Sequence, residues 1–492
     1  MNGNSGDGAP GARSFPPGFL WGASTSAYQI EGAVHEDGRG QSIWDTFSHT
    51  PGKVHGGDTG DIACDSYHRV AEDLGLLSEL GAGGYRFSIA WPRIQPSGEG
   101  AVNQRGLDYY RRLIAGLRDR GIVPVATAYH WELPQDLEDK GGWANRDTSE
   151  RFAEYAALLA DELGDQVGMW ITLNEPLQTA HQGYRVGTHA PGKTDMALAA
   201  AATHHLLLGH GLAMQAMRAV LPSAQIGISL DLHPVRAGND DSVHAAEVAD
   251  AEQNRIFFEP VLHGSDPGLA RAEMLPPAAL IEPGDMRLIS APLDFLGVNY
   301  YSPHYVRLGD WDDLRRGESR LAGHPGVVTY LPDDLPRTVM GWIVEPDGLY
   351  DVLRAIDREA PGLPLYITEN GCAADDYVDP EGRLNDFARV DYLDGHFDAA
   401  WRAIRDGVEL AGYFVWSLMD NFEWARGYQR RFGLYFVDFG TQQRLPKRSA
   451  AFYSAVARAN ALPSASDNGA PPRESLSVSS APMKAPTTAG SN

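Results

Sequence analysis

Short apolar runs alternate along the chain with longer segments in which apolar residues recur every three or four positions. The runs are rich in Val, Ile, Phe and Tyr and are apolar on both faces, as strands of a buried parallel sheet are. We therefore predict eight buried strands, at 19–24, 84–90, 122–129, 168–173, 225–230, 294–300, 364–368 and 411–417.

Helical periodicity fills most of the intervals between these strands. Segment 106–120 has a single apolar stripe at spacings of three and four, and segments 148–163 and 386–406 are similar. Thr148 and Asn385 are predicted N-caps, because short polar side chains accept hydrogen bonds from the first free N–H groups of a helix. The stripe in 106–120 consists of Leu107, Tyr110, Ile114 and Leu117.

Eight buried strands alternating with helices predict an α/β fold, a single (β/α)8 TIM barrel. A doubly wound sheet is the alternative, but it would place a Gly-rich phosphate turn after its first strand. Here the first strand runs into T-S-A-Y-Q at 25–29. The nearest Gly cluster, 81–84, precedes a strand and is predicted to be a helix C-cap and turn.

The 492 residues would suggest three domains on length alone, but a barrel can take up most of such a chain. At both ends of the chain the apolar residues are few and show no helical or strand spacing, and small or polar residues dominate. Such segments bury too little apolar surface to offset the entropy of ordering. We predict a disordered tail at 1–14, one catalytic domain at 15–462 and a second disordered tail at 463–492.

Charge and cysteine content narrow the class of protein. There are 65 acidic against 41 basic residues, a formal net charge of −24, which argues against nucleic acid and anionic membranes as partners. The two cysteines fit a reducing compartment. We find neither a signal-peptide pattern nor an apolar stretch long enough to span a bilayer, and we expect a cytoplasmic protein. A homo-oligomer remains possible.

The chemistry of a TIM barrel lies at the carboxyl ends of its strands. In this chain those ends carry carboxylates, amides and aromatic rings, which together suit a carbohydrate: amides and acids bond hydroxyls, and Trp packs on the apolar face of a pyranose. The strand-end residues are Gln29, Glu31, Tyr129–Glu132, Asn174, Glu175, Asn299–Tyr301, Glu369, Asn370 and Trp416–Trp424, and Arg86 lies inside the second strand.

Glu175 and Glu369 are the obvious pair of carboxylates to flank a glycosidic bond. Each residue alone has a simpler interpretation: a Glu at a strand end is usually a solvated loop residue, and His130 or Trp416 alone would be core. Arg86 reads as a buried ion-pair partner. The joint pattern at five or six strand ends of one barrel favours the functional interpretation.

Other chemistries have weaker support. The sequence has no H-x-H, H-E-x-x-H or C-x-x-C motif and no G-x-S-x-G elbow, so we predict no metal and no cofactor. A Schiff-base mechanism needs a lysine at a strand end. The lysines lie in loops or the C-terminal tail and are Lys53, Lys140, Lys193, Lys447 and Lys484.

At this point the sequence resembles a known family, the family 1 glycoside hydrolases, which are retaining β-glucosidases. The resemblance covers about residues 15–460 and rests on segments in the same order as in the family. The most specific are T-L-N-E-P at 172–176, similar to the acid/base motif, and Y-I-T-E-N-G at 366–371, similar to the nucleophile motif. Further matches are F-P-P-G-F-L-W-G-A-S-T-S-A-Y-Q-I-E-G (15–32), Y-R-F-S-I-A-W-P-R-I (85–94), Y-H-W-E-L-P (129–134), L-G-V-N-Y-Y (296–301) and W-S-L-M-D-N-F-E-W (416–424).

The resemblance implies double displacement, with Glu369 as nucleophile and Glu175 as acid/base, their carboxyl groups about 5–5.5 Å apart. It implies that Arg86 and Tyr301 hold the nucleophile and that Asn174 bonds the sugar 2-hydroxyl. The remaining implied substrate-binding residues are Gln29, His130, Asn299, Tyr301, Glu423 and Trp424, with Trp131 and Trp416 as aromatic walls and Trp342 at the aglycone side.

The implied substrate is a small β-D-glycoside: terminal glucosyl residues of cellobiose or aryl glucosides, with β-galactosides and β-fucosides also accepted, in carbohydrate metabolism and cellulose degradation. One alternative is a 6-phospho-β-glucosidase, although the E-W pair at 423–424 differs from a phosphate pocket and a carboxylate would repel phosphate. The other is a non-hydrolysing sugar-binding relative, which would usually lack one of the two glutamates. Hydrolysis and transglycosylation are not separable from sequence, and the natural aglycone stays open.

Overall fold

A computed structural model of the chain describes residues 13–265, 275–309, 319–320 and 326–463. Most of the two predicted tails, 1–12 and 464–492, lies outside these residues. In the described part, eight parallel strands close a barrel in which each strand is bonded to its neighbours in sequence. They are β1 (Leu20–Ser24), β2 (Gly84–Ser88), β3 (Val123–Tyr129), β4 (Met169–Asn174), β5 (Gln225–Asp231), β6 (Phe295–Asn299), β7 (Leu365–Asn370) and β8 (Leu410–Trp416).

The predicted barrel and its strands are thus confirmed, with ends that differ by at most two residues. Nearly every strand residue is buried, because one face fills the barrel interior and the other packs on the surrounding helices. The stripe predicted in 106–120 also packs inward, and its four members are fully buried.

Helices surround the barrel in the order that the alternation predicts. The longer ones are α1 (Val70–Leu80), α2 (Gln104–Arg118), α3 (Asp147–Leu163), α4 (Met196–Val220), α5 (Val243–Asp250), α6 (Ile256–His263), α7 (Pro346–Glu359), α8 (Phe387–Arg405) and α9 (Arg448–Ala459). Shorter helices lie at Ala27–Ile30, Ile43–Ser48, Trp91–Ile94, Gln135–Glu138 and Asp285–Ile289.

Both predicted N-caps are wrong. Helix α3 starts one residue before Thr148, whose hydroxyl donates to the Gly142 carbonyl at 2.6 Å instead of accepting from the helix. Helix α8 starts two residues after Asn385, whose amide donates to Asp379 at 3.2 Å. In both cases a bond to the preceding loop competes with capping. The predicted C-cap at Gly81 is confirmed, because it ends α1 with φ of 73°, in the left-handed region.

Smaller sheets join the remaining segments. Arg13–Ser14, which the sequence placed in the N-terminal tail, pairs with Ala461–Leu462, a contact between distant parts of the chain that no local pattern reveals. A four-stranded sheet consists of Val235–Ala237, His304–Leu308, Ser319–Arg320 and Val327–Tyr330, and a hairpin joins Tyr435–Asp438 to Gln443–Pro446. Among the described residues, no helix has both the length and the apolar character needed to cross a bilayer.

Candidate active site

Glu369 lies near the end of β7, and donors occupy both oxygens of its carboxylate. Arg86, which points inward from β2, donates from Nη1 to Oε1, and the Tyr301 hydroxyl donates to Oε2 at 2.6 Å. All three side chains are largely removed from solvent. Two donors, one of them a cation, stabilise the ionised carboxylate and fix its orientation.

The backbone around Glu369 is held closely. Asn370 donates to the Tyr300 carbonyl at 2.6 Å and accepts from the Tyr413 hydroxyl. A Cβ at Gly371 would come within 1.8 Å of the Trp416 carbonyl oxygen, so only glycine fits at that position. The E-N-G sequence therefore places the carboxylate rigidly at the end of the strand.

Glu175 follows β4 and has a left-handed backbone conformation, with φ of 47°. Such a conformation is uncommon for a residue with a side chain and is typical of functional sites. Contacts to neighbouring strands hold it: its N–H donates to the Ser229 carbonyl at 2.9 Å, and Asn299 donates to its Oε1 at 2.6 Å.

A continuous hydrogen-bond network connects the two glutamates. The Oδ1 of Asn174 accepts from Arg86 Nη2 at 2.6 Å and from Asn299 Nδ2 at 3.0 Å. The same two donors contact Glu369 and Glu175 respectively. Residues from β2, β4, β6 and β7 thus form one unit at the carboxyl end of the barrel.

The surroundings of the two glutamates favour the protonated form of Glu175 and the ionised form of Glu369. Burial raises the pKa of Glu175 well above its usual range, and the charges of Asp231 and Glu369 raise it further. Burial also raises the pKa of Glu369, but Arg86 and Tyr301 oppose that shift. Because two carboxylates that interact in a buried site do not ionise independently, the pair retains a proton and Glu175 holds it.

Asp231 is a functional candidate that the sequence analysis missed. It ends β5, and its Oδ2 accepts from Gln178 Nε2 at 2.6 Å. Its Oδ1 lies 3.1 Å from Nε2 of His233. The signal that could have identified it is its position: L-D-L-H at 230–233 places polar residues at the end of the fifth strand, as at six of the other strands.

His130 is a neutral ring in this network. Because Asn174 Oδ1 already accepts two bonds, its amide donates, and Nδ2 lies 3.2 Å from His130 Nε2. That nitrogen is therefore the acceptor, and the ring proton lies on Nδ1. Burial and the nearby Arg86 hold the pKa of His130 well below its usual range.

The two predicted aromatic walls, Trp131 and Trp416, both contact the ring of His130, at 5.0 and 5.8 Å between centroids. Trp131 and Trp424 are 4.7 Å apart between ring centroids, and the His130 ring stacks on both Trp416 and Trp424 at 5.8 and 5.9 Å. Trp131 and Trp424 have φ of 68° and 48°, in the left-handed region. Trp342 contacts Tyr301 and Phe432 at 5.4 and 5.8 Å, and Tyr301 in turn bonds to Glu369.

Gln29 and Glu423 lie on the side of the site formed by the loop after β8. Gln29 donates from Nε2 to Asn421 Oδ1 at 3.0 Å and to the Phe422 carbonyl at 2.9 Å, which ties the first strand to this loop. Burial, with the charge of Glu369, raises the pKa of Glu423 to about 8. Its Oε2 is buried and has no partner among the described residues.

Two other acidic residues at the strand ends do not join the site. Glu31 accepts from Arg93 at 2.9 Å and from the Tyr110 hydroxyl at 2.6 Å. Glu132 pairs with Arg39 at 2.7 Å. Both are buried ion-pair partners that secure the loops. The described residues hold no group of three or more His, Cys, Asp or Glu placed for a metal ion.

Comparison with known proteins identifies the family. A solved β-glucosidase from Thermotoga maritima in complex with azafagomine is 46% identical, with a TM-score of 0.86 over 92% of this chain and 100% of that chain. The curated β-glucosidase A of the same organism is 45% identical over 92% of this chain and 99% of its own. A bifunctional β-D-glucosidase/β-D-fucosidase of Bifidobacterium breve is 45% identical over 89% of this chain and 97% of its own. The sequence profile of glycosyl hydrolase family 1 matches residues 12–462, and the chain belongs to that family.

Proposed function

We propose that this protein is a retaining β-glucosidase that releases terminal, non-reducing β-D-glucosyl residues from small β-D-glucosides. The observation that carries the proposal is that two buried glutamates in one hydrogen-bond network have surroundings that favour opposite protonation states. Arg86 and Tyr301 bind both oxygens of Glu369, whereas Glu175 faces carboxylates and retains its proton. An ionised nucleophile opposite a protonated acid is what double displacement requires.

In the first step, Glu369 attacks the anomeric carbon while Glu175 transfers its proton to the departing glycosidic oxygen. The bond to the aglycone breaks, and an ester forms between the sugar and Glu369. Esterification removes the negative charge of Glu369, one of the causes of the raised pKa of Glu175. The pKa of Glu175 then falls, so Glu175 can act as the base that deprotonates the attacking water.

The other residues of the site are proposed to bind the glycone. Gln29, His130 and Glu423 present amide, imidazole and carboxyl groups to sugar hydroxyls, and Trp416 and Trp424 supply apolar faces. Asn174, bonded to Arg86, is the proposed partner of the 2-hydroxyl. Asn299 donates to Glu175 and orients it, and Trp131 donates to the Asn174 carbonyl at 3.0 Å. Both residues therefore hold other residues of the site in position.

We propose acceptance of β-fucosides and β-galactosides beside β-glucosides, which the bifunctional relative from Bifidobacterium breve supports. A 6-phosphorylated sugar is disfavoured, because a buried phosphate needs cationic partners and Glu423 offers it a buried carboxyl group instead. Trp342, beside Tyr301, is proposed to contact the aglycone, with cellobiose and aryl glucosides as candidate substrates. We place the enzyme in the cytoplasm, since Cys64 and Cys372 are buried, unpaired thiols.

A panel of aryl β-glycosides tests the function. We expect turnover of the glucoside and fucoside, weaker turnover of the galactoside and little of the 6-phosphoglucoside. Equal or better turnover of the phosphorylated substrate would favour the alternative, and no turnover of any would contradict the proposal.

Exogenous azide tests the two roles separately. Glu175→Gln should still glycosylate with a good leaving group and accumulate the intermediate, and azide should restore turnover with a β-glycosyl azide product, because azide needs no base. Glu369→Gln should not give that product. A Glu175→Gln variant with wild-type hydrolysis and no azide effect would overturn the assignment.

A further inference from the structure

Asp231 and His233 form a buried pair that no step described above uses. Asp231 occupies the last position of β5 and pairs in register with Asn299 of β6, the residue that donates to Glu175. Gln178 links the same groups by a second route. Its N–H donates to the Glu175 carbonyl at 3.0 Å, and its side chain donates to Asp231 at 2.6 Å.

The hydrogen bonds of His233 determine the charge of this pair. Nδ1 of His233 lies 2.9 Å from the Ser302 carbonyl, which can only accept, so Nδ1 carries a proton. In the neutral ring the lone pair of Nε2 would then face Asp231 Oδ1, 3.1 Å away, and the two would repel. Burial opposes a charge on the ring, but Asp231 raises the pKa of His233 above its usual value, which favours a carboxylate paired with an imidazolium.

The remaining groups around the pair carry little compensating charge. The His304 ring stacks on His233 at 4.1 Å, and burial together with the charge of His233 lowers the pKa of His304 to about 3. Burial and Arg185 lower the pKa of His181 to about 4. Both rings are therefore neutral near pH 7. The charge of Asp231 acts on Glu175 and on Glu369.

We propose that Asp231, held by Gln178 and His233, is a positioning residue that keeps Glu175 protonated before the first step and keeps it basic in the second. This inference rests on the proposed function. The negative charge of Glu369 disappears when it is esterified, whereas that of Asp231 persists through the cycle. Asp231 thus supplies a constant part of the proton affinity of Glu175, and Glu369 supplies the part that switches. Because Gln178 and His233 lie against the two oxygens of Asp231, it acts through Glu175 rather than on the substrate.

The test is the pH profile of Asp231→Asn. The amide keeps an acceptor for Gln178 and has a donor for a neutral His233, so the hydrogen bonds are kept while the charges of the carboxylate and of the imidazolium are both lost. Of the two, the charge of Asp231 is the one that raises the pKa of Glu175, so its loss should lower that pKa. The alkaline limb of kcat/KM for an aryl β-glucoside reports Glu175 in the free enzyme, and we expect it to move down by about one pH unit. With a good leaving group, where deglycosylation limits kcat, we also expect a lower kcat because Glu175 becomes a weaker base.

Asp294→Asn is the matched control. Asp294 precedes β6 at the opposite end of the barrel, where it pairs with Arg218 and accepts from the Ile226 N–H at 2.8 Å. This variant should leave the alkaline limb in place, whatever it does to stability. If Asp231→Asn does not fold, Asp231→Thr is the second variant, since it also removes the charge and threonine suits a strand end.

The outcomes separate this inference from the proposed function. An alkaline limb that moves down in the Asp231 variant and not in the control supports the inference. A limb within about 0.2 units of wild type, with or without a uniform loss of activity at every pH, overturns it and leaves the function standing. Failure of the wild-type protein to hydrolyse any aryl β-glucoside would instead overturn the function on which the inference depends.

Discussion

Two buried ionic clusters lie at the carboxyl end of the barrel, and they differ in the number of cations that each has for its carboxylates. The catalytic cluster contains Glu175, Glu369 and Asp231 with Arg86 and the His233 ring. The second, the Lys447 cluster, contains three cations and three carboxylates. Its members are Lys447, Arg389, Arg431, Asp376, Asp386 and Asp420.

The Lys447 cluster pairs its charges closely. Lys447 lies 2.6 Å from Asp376 and 2.5 Å from Asp420, and Arg389 lies 2.7 Å from Asp376. Asp420 also accepts from the Gly433 N–H at 3.0 Å. The cluster therefore fastens the loop that carries Glu423 and Trp424 to the loop that follows Glu369.

The comparison shows that burial alone does not make a carboxylate reactive. Burial works to raise the pKa of Asp376, yet Lys447 and Arg389 hold it below its usual value. In the catalytic cluster the carboxylates face each other, and the pKa of Glu175 rises instead. Balanced charge produces a fixed support, whereas an excess of negative charge produces a group that gives up and takes back a proton.

The largest effect should follow from removing the cation that contacts Glu369, the proposed nucleophile. Arg86→Met leaves Glu369 buried without its ionic partner, and we expect kcat/KM to fall by about 10³–10⁴-fold, a loss of ~4–5.5 kcal/mol in the transition state. Steady-state kinetics measure this. The matched control is Arg93→Met, which also removes a buried arginine, the partner of Glu31 at 2.9 Å, but outside the site. An equal loss of kcat/KM in folded protein of both variants would contradict the comparison.

Removing the central cation of the balanced cluster should reduce stability rather than change the chemistry directly. Lys447→Met leaves Asp376 and Asp420 short of a partner, and breaking a buried pair costs about 3–5 kcal/mol of unfolding free energy. Denaturant unfolding measures it. Lys140→Met removes an exposed pair with Glu99 and should leave the unfolding free energy nearly unchanged. Similar losses in the two variants would show that the Lys447 cluster is not a support.

Glu423 predicts a pH-dependent change in stability. Its pKa is near 4.3 in an unfolded chain and about 8 in the fold, so the folded state binds the extra proton. Its contribution to stability is full below pH 4 and is lost as the pH rises through 8. Relative to Glu423→Gln, the wild type should therefore lose about 3–4 kcal/mol between pH 5 and pH 8. A stability difference that is independent of pH in denaturant titrations would refute this assignment.

The smallest of these effects concerns the hydroxyl beside the nucleophile. Tyr301→Phe removes the bond to Glu369 Oε2 that lowers the pKa of Glu369. That pKa should rise, so the acidic limb of kcat/KM should move up, with a roughly tenfold loss at neutral pH. Tyr305→Phe removes a comparable bond, to Glu345 at 2.7 Å, outside the site and should leave the limb unchanged. An acidic limb that stays in place in Tyr301→Phe would argue against this role.

Much of the fold could be predicted because its signals are local. A strand buried on both faces requires a continuous apolar run, and each of the eight runs became a barrel strand. The barrel then determines where strand ends meet, and so Glu175 and Glu369 were found together with Arg86, Asn174 and Asn299. The tails stay predictions, since most of their residues lie outside the described part of the chain.

The rest depends on contacts between distant parts of the chain. Lys447 was predicted in a loop, and it does precede α9, but its burial comes from Asp376 and Asp420. Thr148 and Asn385 were suitable caps that bonded to preceding loops instead. Asp231 shares the strand-end position of the other site residues, but its effect on Glu175 follows only from the register of β5 and β6.

Trapping the covalent intermediate tests the central claim most directly. A 2-deoxy-2-fluoro-β-glucoside with a good leaving group slows both steps, since fluorine destabilises the oxocarbenium-like transition state, but the leaving group favours the first. Mass spectrometry of the wild-type protein should show the gain of one fluoroglucosyl group, mapped to Glu369, and Glu369→Gln should gain none. Labelling of Glu175 or Asp231 instead, or a Glu369→Gln variant that still becomes labelled, would contradict the account.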